Sequence, residues 1–355
     1  MKKPEKNVLV ILIAGIGDFI MASRALRALS RGYPGACLHV LTSTEAATLA
    51  RNYPYVDQVW SVPVRELRRG KSRILDILKT IFQLRNTRFD TAVNLYRVVS
   101  RCGAARMGLL FRLLNAGEKV GHGSKGFGLF LSKKANAEIF HNRHFVDAMT
   151  DMAILAGGVP DDLGIEVFGD RMVETERAIL ISSSEGNDDQ SKLIGINPGA
   201  DQPQKRWNPA HYACVADRLI ERIGCRVIIL GGPGEERLAR QIQGKMKFSS
   251  LNLAGTLTLN ELVYVIRKLD LLITNDSGPM HIGAAVKTPL VAIFGPEDPT
   301  YTRPYTSPGL CKIVYRELDC RPCGKQRCDR FQCLEVIKPE EVLQKCLELL
   351  KQAEI

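Results

Sequence analysis

The sequence predicts an α/β protein with parallel sheets, divided into two domains. Three observations carry that reading. Short apolar runs recur along the chain, and they are continuous rather than alternating, as strands buried on both faces are. Val8–Ile13, Cys225–Leu230, Leu271–Ile273 and Leu290–Phe294 are the clearest. Gly- or Pro-rich turns follow these runs and lead into helical segments, the repeating unit of a parallel sheet with helices on its faces. The length, 355 residues, suits two domains of about 150 residues each.

Composition narrows the class. No apolar run reaches the roughly 18 residues that a membrane span needs. The start, MKKPEKNVLVILIAG, has the basic and apolar parts of a signal peptide. Its apolar part, Val8–Ala14, runs straight into a Gly-rich turn and an amphipathic helix, so it reads as the first strand and the protein is expected in the cytoplasm. Ten cysteines in that compartment argue against a disulfide framework. The net charge of +11 is unevenly placed: Arg65–Lys134 holds 16 Lys or Arg against 4 Asp or Glu. Such a patch fits nucleic acid, an acidic lipid surface or a phosphorylated substrate, or is a solvated basic face. An aromatic content of only 6%, with no recognisable binding motif, weighs against nucleic acid.

In the N-terminal half, Val8–Ile13 ends in Ala14-Gly15-Ile16-Gly17-Asp18, and a helix follows with Phe19, Ile20, Ala22, Leu26 and Leu29 apolar. A dinucleotide fingerprint needs a third glycine where Ile20 stands, and no acidic residue closes the next strand, Cys37–Leu41, so NAD is not expected. Asp18 sits at the carboxyl end of the first strand, either as a helix cap or as a carboxylate free to accept a proton. Val56–Val62 reads as a strand, Ile74–Leu84 as a helix with Ile74, Leu75, Leu78, Ile81 and Phe82 apolar, and Thr91–Leu95 as a strand. Arg101–Leu114 is a basic, apolar helix, either packed with basic ends or lying in a membrane interface. Gly121–Gly128 (GHGSKGFG) reads as a mobile, basic loop, too irregular for a phosphate-binding motif. His141 and His144 precede a helix, Phe145–Leu155, and have no ligand-type partner at metal spacing.

Gly157–Gln190 changes character, with GGVPDDLG and SSSEGNDDQ, which places domains at 1–165 and 190–355 and a linker at 166–189. After a strand at Leu193–Ile196, Pro198-Gly199-Ala200 makes a turn, Lys205-Arg206-Trp207 a basic, aromatic tip, and Asn208-Pro209 opens a helix to about Ile223. Lys205 either stabilises the charge of a diphosphate leaving group or is a surface lysine. Arg206 is a second cation. Glu235, after Gly231-Gly232-Pro233-Gly234, can accept from both hydroxyls of a ribose, with Glu236 as the off-by-one alternative, or is an acidic residue in a helix's first turn. Gly255 and Thr256 end the strand Leu251–Ala254, and a helix follows at Leu259–Leu269.

The stretch Leu271–Pro299 reads as strand, tight turn, helix and strand. Asn275-Asp276-Ser277-Gly278-Pro279 combines capping side chains with a proline near the first helical position, and the helix runs over Met280–Val286. A helix N-terminus there offers unpaired amides and about half a positive charge, which suits a pyrophosphate, or it is an ordinary capped helix. Gly278 lets a ligand approach the backbone, and His281 falls one turn in, on the ligand's side. Asp276 repels phosphate, so it serves as a cap or binds a ligand hydroxyl. Cys320, Cys323, Cys328 and Cys333 could bind a structural zinc. Their later spacing is looser than a zinc ribbon's, and reduced cysteines on a packed loop are the favoured reading. The chain ends in a helix, Pro339–Leu350.

The phrase NDSGPMHIGAA…TPLVAIFGPEDP resembles the signature of glycosyltransferase family 9, the bacterial lipopolysaccharide heptosyltransferases, and FDTAVNL resembles the family too. The likeness covers nearly the whole chain and is thinnest over Arg65–Lys134. It implies a GT-B fold, two Rossmann-like doubly wound domains facing across a cleft. It implies an inverting, metal-independent glycosyltransferase moving heptose from ADP-heptose to the lipopolysaccharide inner core, without a cofactor. By the same resemblance Asp18 matches the proposed general base and Lys205 the lysine on the donor phosphate. Gly17, Glu235, Gly255, Thr256, Asp276, Ser277, Gly278, Pro279, Met280 and His281 fall among the donor contacts. The implied partners are a nucleotide-sugar donor and an anionic lipid A-core acceptor met at the inner face of the cytoplasmic membrane. An enzyme using another nucleotide sugar, whether transferase or epimerase, and a nucleotide-binding module without turnover are the alternatives. The sequence does not fix the oligomeric state.

Overall fold

Strand β1, Asn7–Leu12, is buried from Val8 onward because both of its faces are apolar. The computed structural model describes residues 6–64, 66, 73–98, 100–123, 128–170, 191–321, 323, 328 and 332–352. In the first unit, Met1–Glu166, β1 lies parallel between β2, Cys37–Ser43, and a strand at Arg88–Asn94. With β3 at Gln58–Val62, β4 at Arg88–Asn94, β5 at Asn115–His122 and β6 at Lys133–Ala135, the order is β3-β2-β1-β4-β5-β6, parallel throughout. The helices are α1 (Ile16–Met21), α2 (Ser23–Gly32), α3 (Thr44–Ala50), α4 (Ile74–Arg85), α5 (Arg101–Leu113) and α6 (Phe145–Leu155).

Three local results matter. The loop read over Gly121–Gly128 begins as strand, since Gly121 and His122 close β5, and residues 124–127 lie outside the described residues. α4 turns only Ile77, Ile81 and Leu84 into the core, against Leu110, Phe111 and Leu114 from α5 and the residue that follows it. Four of the five apolar residues named for this helix, Ile74, Leu75, Leu78 and Phe82, are exposed. The segment after α6 is clamped to α2 by Arg27, which reaches Asp161 at 2.8 Å and Glu166 at 2.6 Å. That guanidinium holds the Asp161 carboxyl below the usual carboxylate range.

The second unit, Val167–Ile355, repeats the topology. Its strands are β7 (Leu193–Asn197), β8 (Arg226–Ile229), β9 (Leu251–Asn252), β10 (Leu271–Asn275), β11 (Leu290–Ile293) and β12 (Cys311–Val314). They are ordered β12-β11-β10-β7-β8-β9 and all are parallel. Helix α7, Pro209–Ile223, starts where the Asn208 side chain accepts from Ala210 N–H and stops at Gly224, whose φ of 63° is left-handed. α8 (Glu236–Gln243), α9 (Leu259–Lys268), α10 (Gly278–Ala285) and α11 (Pro339–Gln352) complete the layers. Trp207 is not on an exposed tip. It is fully buried in the core that α11 closes, and its indole N–H donates to Ile337 O at 3.1 Å.

In both sheets the first and fourth strands are neighbours, so the chain reverses direction across the sheet between them. A crevice opens at the carboxyl ends of those two strands, where open α/β sheets bind ligands. Asp18 follows β1 in one unit. Lys205 and Asp276 follow β7 and β10, the corresponding pair, in the other. Among the described residues no helix is long and apolar enough to cross a membrane.

Candidate active site

Asn275 organises the site in the second unit. It ends β10 with no exposed surface. Its Oδ1 accepts from Trp207 N–H at 3.1 Å and from Tyr212 O–H at 2.9 Å, and its Nδ2 donates to Pro198 O at 2.7 Å. The chain after β7 is thereby locked to the end of β10. A tight turn, Pro203–Lys205, then delivers the Lys205 ammonium to 2.7 Å from Asp276 Oδ2 and 3.5 Å from Glu297 Oε1. Asp276 is only 6% exposed. Burial pushes its carboxyl up and the ammonium pulls it back down, leaving it above the usual range. Burial also opposes the charge on Lys205, but the two carboxylates outweigh it and hold the ammonium above its ordinary value.

Asp276 therefore does not cap the helix: its charge is matched by a cation from another strand end. Ser277 is the N-cap residue of α10, and its side chain makes no capping bond. Its hydroxyl donates to Asn275 O at 3.3 Å and accepts from Asn197 Nδ2 at 3.3 Å. Pro279 has no N–H, and Met280 N–H turns back to Ser277 O at 3.1 Å. Among the described residues, Ser277 and Gly278 are left as the amides of this turn without a backbone partner. Met280 and His281 are both buried.

Arg206 donates from Nε and Nη2 to Ala200 O at 2.9 and 2.7 Å and lies 3.9 Å from Glu235 Oε1. The Glu235 carboxylate accepts from Gly232 N–H at 2.8 Å and packs directly on Gly199, where a Cβ would come within 2.1 Å of it. Glu236 turns the other way. Its carboxylate accepts from Gly234 N–H and fills the space over Gly255, whose φ is +77°. Of the two, Glu235 is the one beside the β7 turn and Arg206. Thr256 is exposed, and its hydroxyl donates to Leu253 O at 2.9 Å.

In the first unit, Gly17 and Asp18 lie in the first turn of α1, both half-buried. Asp18 Oδ2 accepts from Gly15 N–H at 3.2 Å, so the carboxylate reaches back to the cap residue and stays anchored at the end of β1. His144 caps α6 by accepting from Val146 N–H at 3.1 Å. Cys320, Cys323, Cys328 and Cys333 are free thiols, and among the described residues no three His, Cys, Asp or Glu side chains gather as a metal site.

The sequence reading missed Asn275 as a clamp, and it missed Glu297 and Asn197. The signal for Asn275 was a lone amide at the end of an apolar run, and it was spent on capping.

Residues 77–334, which include Lys205, Glu235 and Asp276, match glycosyltransferase family 9 (heptosyltransferase). The chain is 28% identical over 361 residues to lipooligosaccharide heptosyltransferase 2 of Haemophilus ducreyi, covering 97% of this chain and 99% of that protein. It is 36% identical over 171 residues to lipooligosaccharide heptosyltransferase 2 of Campylobacter jejuni; that match covers 46% of this chain and spans about half of the relative, 53%. The structure of the Escherichia coli ADP-heptose lipopolysaccharide heptosyltransferase II superposes with a TM-score of 0.75 at 24% identity, covering 98% of this chain and all of that one. This likeness shows the fold: two Rossmann-like, doubly wound units, the GT-B class. With the family match extending over most of its length, the chain belongs to glycosyltransferase family 9, the heptosyltransferases.

Proposed function

We propose that this chain is an inverting glycosyltransferase that moves a heptose from ADP-heptose to the lipopolysaccharide inner core. The observation that carries the reading is the Lys205–Asp276 pair at 2.7 Å, set beside the N-terminus of α10 at the β7–β10 switch point. As the bond from sugar to diphosphate breaks, negative charge grows on the leaving phosphate. Lys205 and the Ser277 and Gly278 amides supply fixed positive charge there, a role often filled by a metal ion. Asp276, already neutralised by Lys205, is left to accept a hydrogen bond from a sugar hydroxyl. Gly278, which has no side chain, lets the diphosphate come close to those amides, and Pro279 follows it in the first turn of α10. Glu235 receives the ribose hydroxyls, and Gly255 and Thr256 border the nucleoside, with Gly17 completing the donor contacts. Met280 and His281, in the first turn of α10, close the list of donor contacts.

The second region, 190–355, holds the donor, and the first, 1–165, receives the acceptor, with 166–189 as linker. Asp18 takes the proton from an acceptor hydroxyl. That oxygen attacks the anomeric carbon opposite the leaving ADP, and one displacement inverts configuration. General-base help of this sort is worth about 10²–10⁴ in rate. The acceptor is an anionic lipid A-core, and the enzyme works at the cytoplasmic face of the membrane.

The test is ADP release by wild type and Asp18→Asn with ADP-heptose and truncated lipopolysaccharide acceptors, with ADP binding measured alongside. Acceptor-dependent release that collapses in Asp18→Asn while ADP still binds supports the reading. Equal release by both proteins removes Asp18 as base. Release only with UDP-sugars overturns the donor.

A further inference from the structure

Half of the exposed residues of α4 are apolar, and they stand beside Asp76, Lys79, Gln83 and Arg85. Helical geometry puts residues 74, 75, 78 and 82 within one arc of about 100°, and Ile74, Leu75, Leu78 and Phe82 are all exposed, Leu75 by 81% and Phe82 by 64%. This face is distinct from the one that α4 buries, which carries Ile77, Ile81 and Leu84. α5 packs its own buried face, Leu110 and Phe111, into the same core, so the outer faces of both helices point away from that core together. Leu109 stands exposed on the outer side of α5. Leu129, exposed by 92%, lies alongside, because its neighbour Phe130 stacks on Phe111 at 5.6 Å and packs over Gly108. Single exposed apolar residues are ordinary, but a cluster of six on one layer marks a surface that meets something.

Charge says what that is. The two helices carry five basic residues, Lys79, Arg85, Arg101, Arg106 and Arg112, and one acidic residue, Asp76, which is paired with Arg73. All five basic residues are exposed. A second copy of the chain would bring like charges together. A soluble acidic ligand would leave Leu75 and Phe82 in water. A bilayer with anionic headgroups satisfies both features, taking the apolar arc into the headgroup–acyl boundary while Lys and Arg stems reach back to the phosphates.

We infer that the α4–α5 layer, with Leu129, is an interfacial docking face for an anionic lipid bilayer, with α4 rather than α5 as the inserting element. The inference deepens the proposed function, because it rests on the reading that the acceptor is lipid-anchored and must be met at a membrane.

The test uses the full chain and flotation with vesicles of phosphatidylethanolamine and phosphatidylglycerol, against vesicles of phosphatidylcholine alone. Wild type is expected on the anionic vesicles and not on the neutral ones. Leu75→Glu combined with Phe82→Glu should weaken that binding by more than about tenfold. Ile154→Glu, the same change at an exposed residue of α6, should not. Leu78→Trp should show a blue-shifted emission on adding anionic vesicles, which reports insertion rather than attraction alone. Wild type staying off anionic vesicles, binding undiminished in the double variant, or a double variant that only breaks a dimer each overturns the inference. Turnover is read separately with a deacylated, soluble acceptor. There the double variant keeps wild-type rates if the face serves only docking. If wild type fails on every acceptor, the proposed function fails while the vesicle result still decides the surface.

Discussion

Replacing Lys205 by Met separates the structural job of its ammonium from the catalytic job proposed for it. The first is to neutralise Asp276, a carboxylate 2.7 Å away and almost wholly buried. At an effective dielectric of about 20 the attraction across that distance is about 6 kcal/mol, much of it offset by the cost of desolvating both groups. Breaking such a pair by removing one partner costs about 3–5 kcal/mol. In a unit of this size that lowers the melting temperature by about 6–20 °C. The loss must depend on pH. Asp276 is already pushed above its ordinary value by burial, and removing Lys205 raises it further. A folded-state value above the unfolded one means that the folded protein holds the extra proton, so stability falls as pH rises from about 4 toward the folded value. The slope is about 1.4 kcal/mol per pH unit within that window. Asp276→Asn in the same chain removes the group and should flatten the slope. Urea unfolding of Lys205→Met, Asp276→Asn and the double variant across that pH range measures all of this. A destabilisation of Lys205→Met that is flat with pH, or a slope that survives Asp276→Asn, would refute the pairing argument. The second job, in the proposed mechanism, is catalytic. Under conditions where Lys205→Met is folded, kcat should still fall by about 10²–10³, the usual loss on removing one stabiliser of developing negative charge.

Other outcomes follow from the same contacts. Gly199→Ala puts a Cβ within 2.1 Å of the Glu235 carboxylate, forcing it off Gly232 N–H; the KM for the donor should rise with kcat nearly unchanged, whereas a Glu235 that serves only the local turn predicts a loss of stability alone. Asn275→Ala leaves the Trp207 N–H, the Tyr212 hydroxyl and the Pro198 carbonyl without their partner; at about 1–3 kcal/mol for each buried group left unsatisfied, calorimetry should find this the most damaging single truncation in the site. Arg27→Met should cost about 3–5 kcal/mol by stranding Asp161 and Glu166. Because Arg27 depresses the Asp161 carboxyl, that part of the stability is fully present above the unfolded value near 3.9 and is lost as pH falls through the folded value. The acid-unfolding curve of the variant should therefore be shallower than that of wild type.

The fold was legible wherever burial wrote itself into composition. β1, β7, β10 and β11 are apolar on both faces because helices cover both faces of a parallel sheet. β5 and β6 were not legible: Asn115–His122 reads NAGEKVGH and Lys133–Ala135 reads KKA, since strands toward a sheet's edge need little apolar surface. β9 shrank to Leu251–Asn252 for the same reason. α4 was legible as a helix, but periodicity cannot say which of two apolar arcs meets the core. At the site, the positions of Asp18, Glu235 and Asp276 were readable because each closes an apolar run. The Lys205–Asp276 pair was not, because its partners stand 71 residues apart and only the β7–β10 register brings them together. Trp207 misled for a related reason. Its neighbours Lys205 and Arg206 made the segment look exposed, yet its N–H and its ring are held by Asn275, Tyr212 and Ile337.

The two units share a topology strand for strand, so the fold alone cannot say which of them should hold a diphosphate. Under the proposed function, the residues at the equivalent strand ends favour the second unit. After β1 the chain offers Asp18 on a six-residue helix, with the carboxylate tied to Gly15 N–H. A carboxylate there competes with any phosphate for the same amides. After β7 and β10 the chain offers Lys205 and Arg206, set against Asp276, Glu297 and Glu235, with Asp276 the carboxylate nearest to Lys205. The second unit thus presents two paired cations where the first presents a carboxylate bonded to a backbone amide. A transferase that must accept a proton from one substrate and stabilise a departing anion on the other needs that difference. It follows that changing the charge at the first position should change its affinity: Asp18→Lys should create pyrophosphate binding in the first unit while turnover is lost. Binding of inorganic pyrophosphate by the variant, measured with the second-unit site blocked by ADP, would carry the argument, and no gain over wild type would break it.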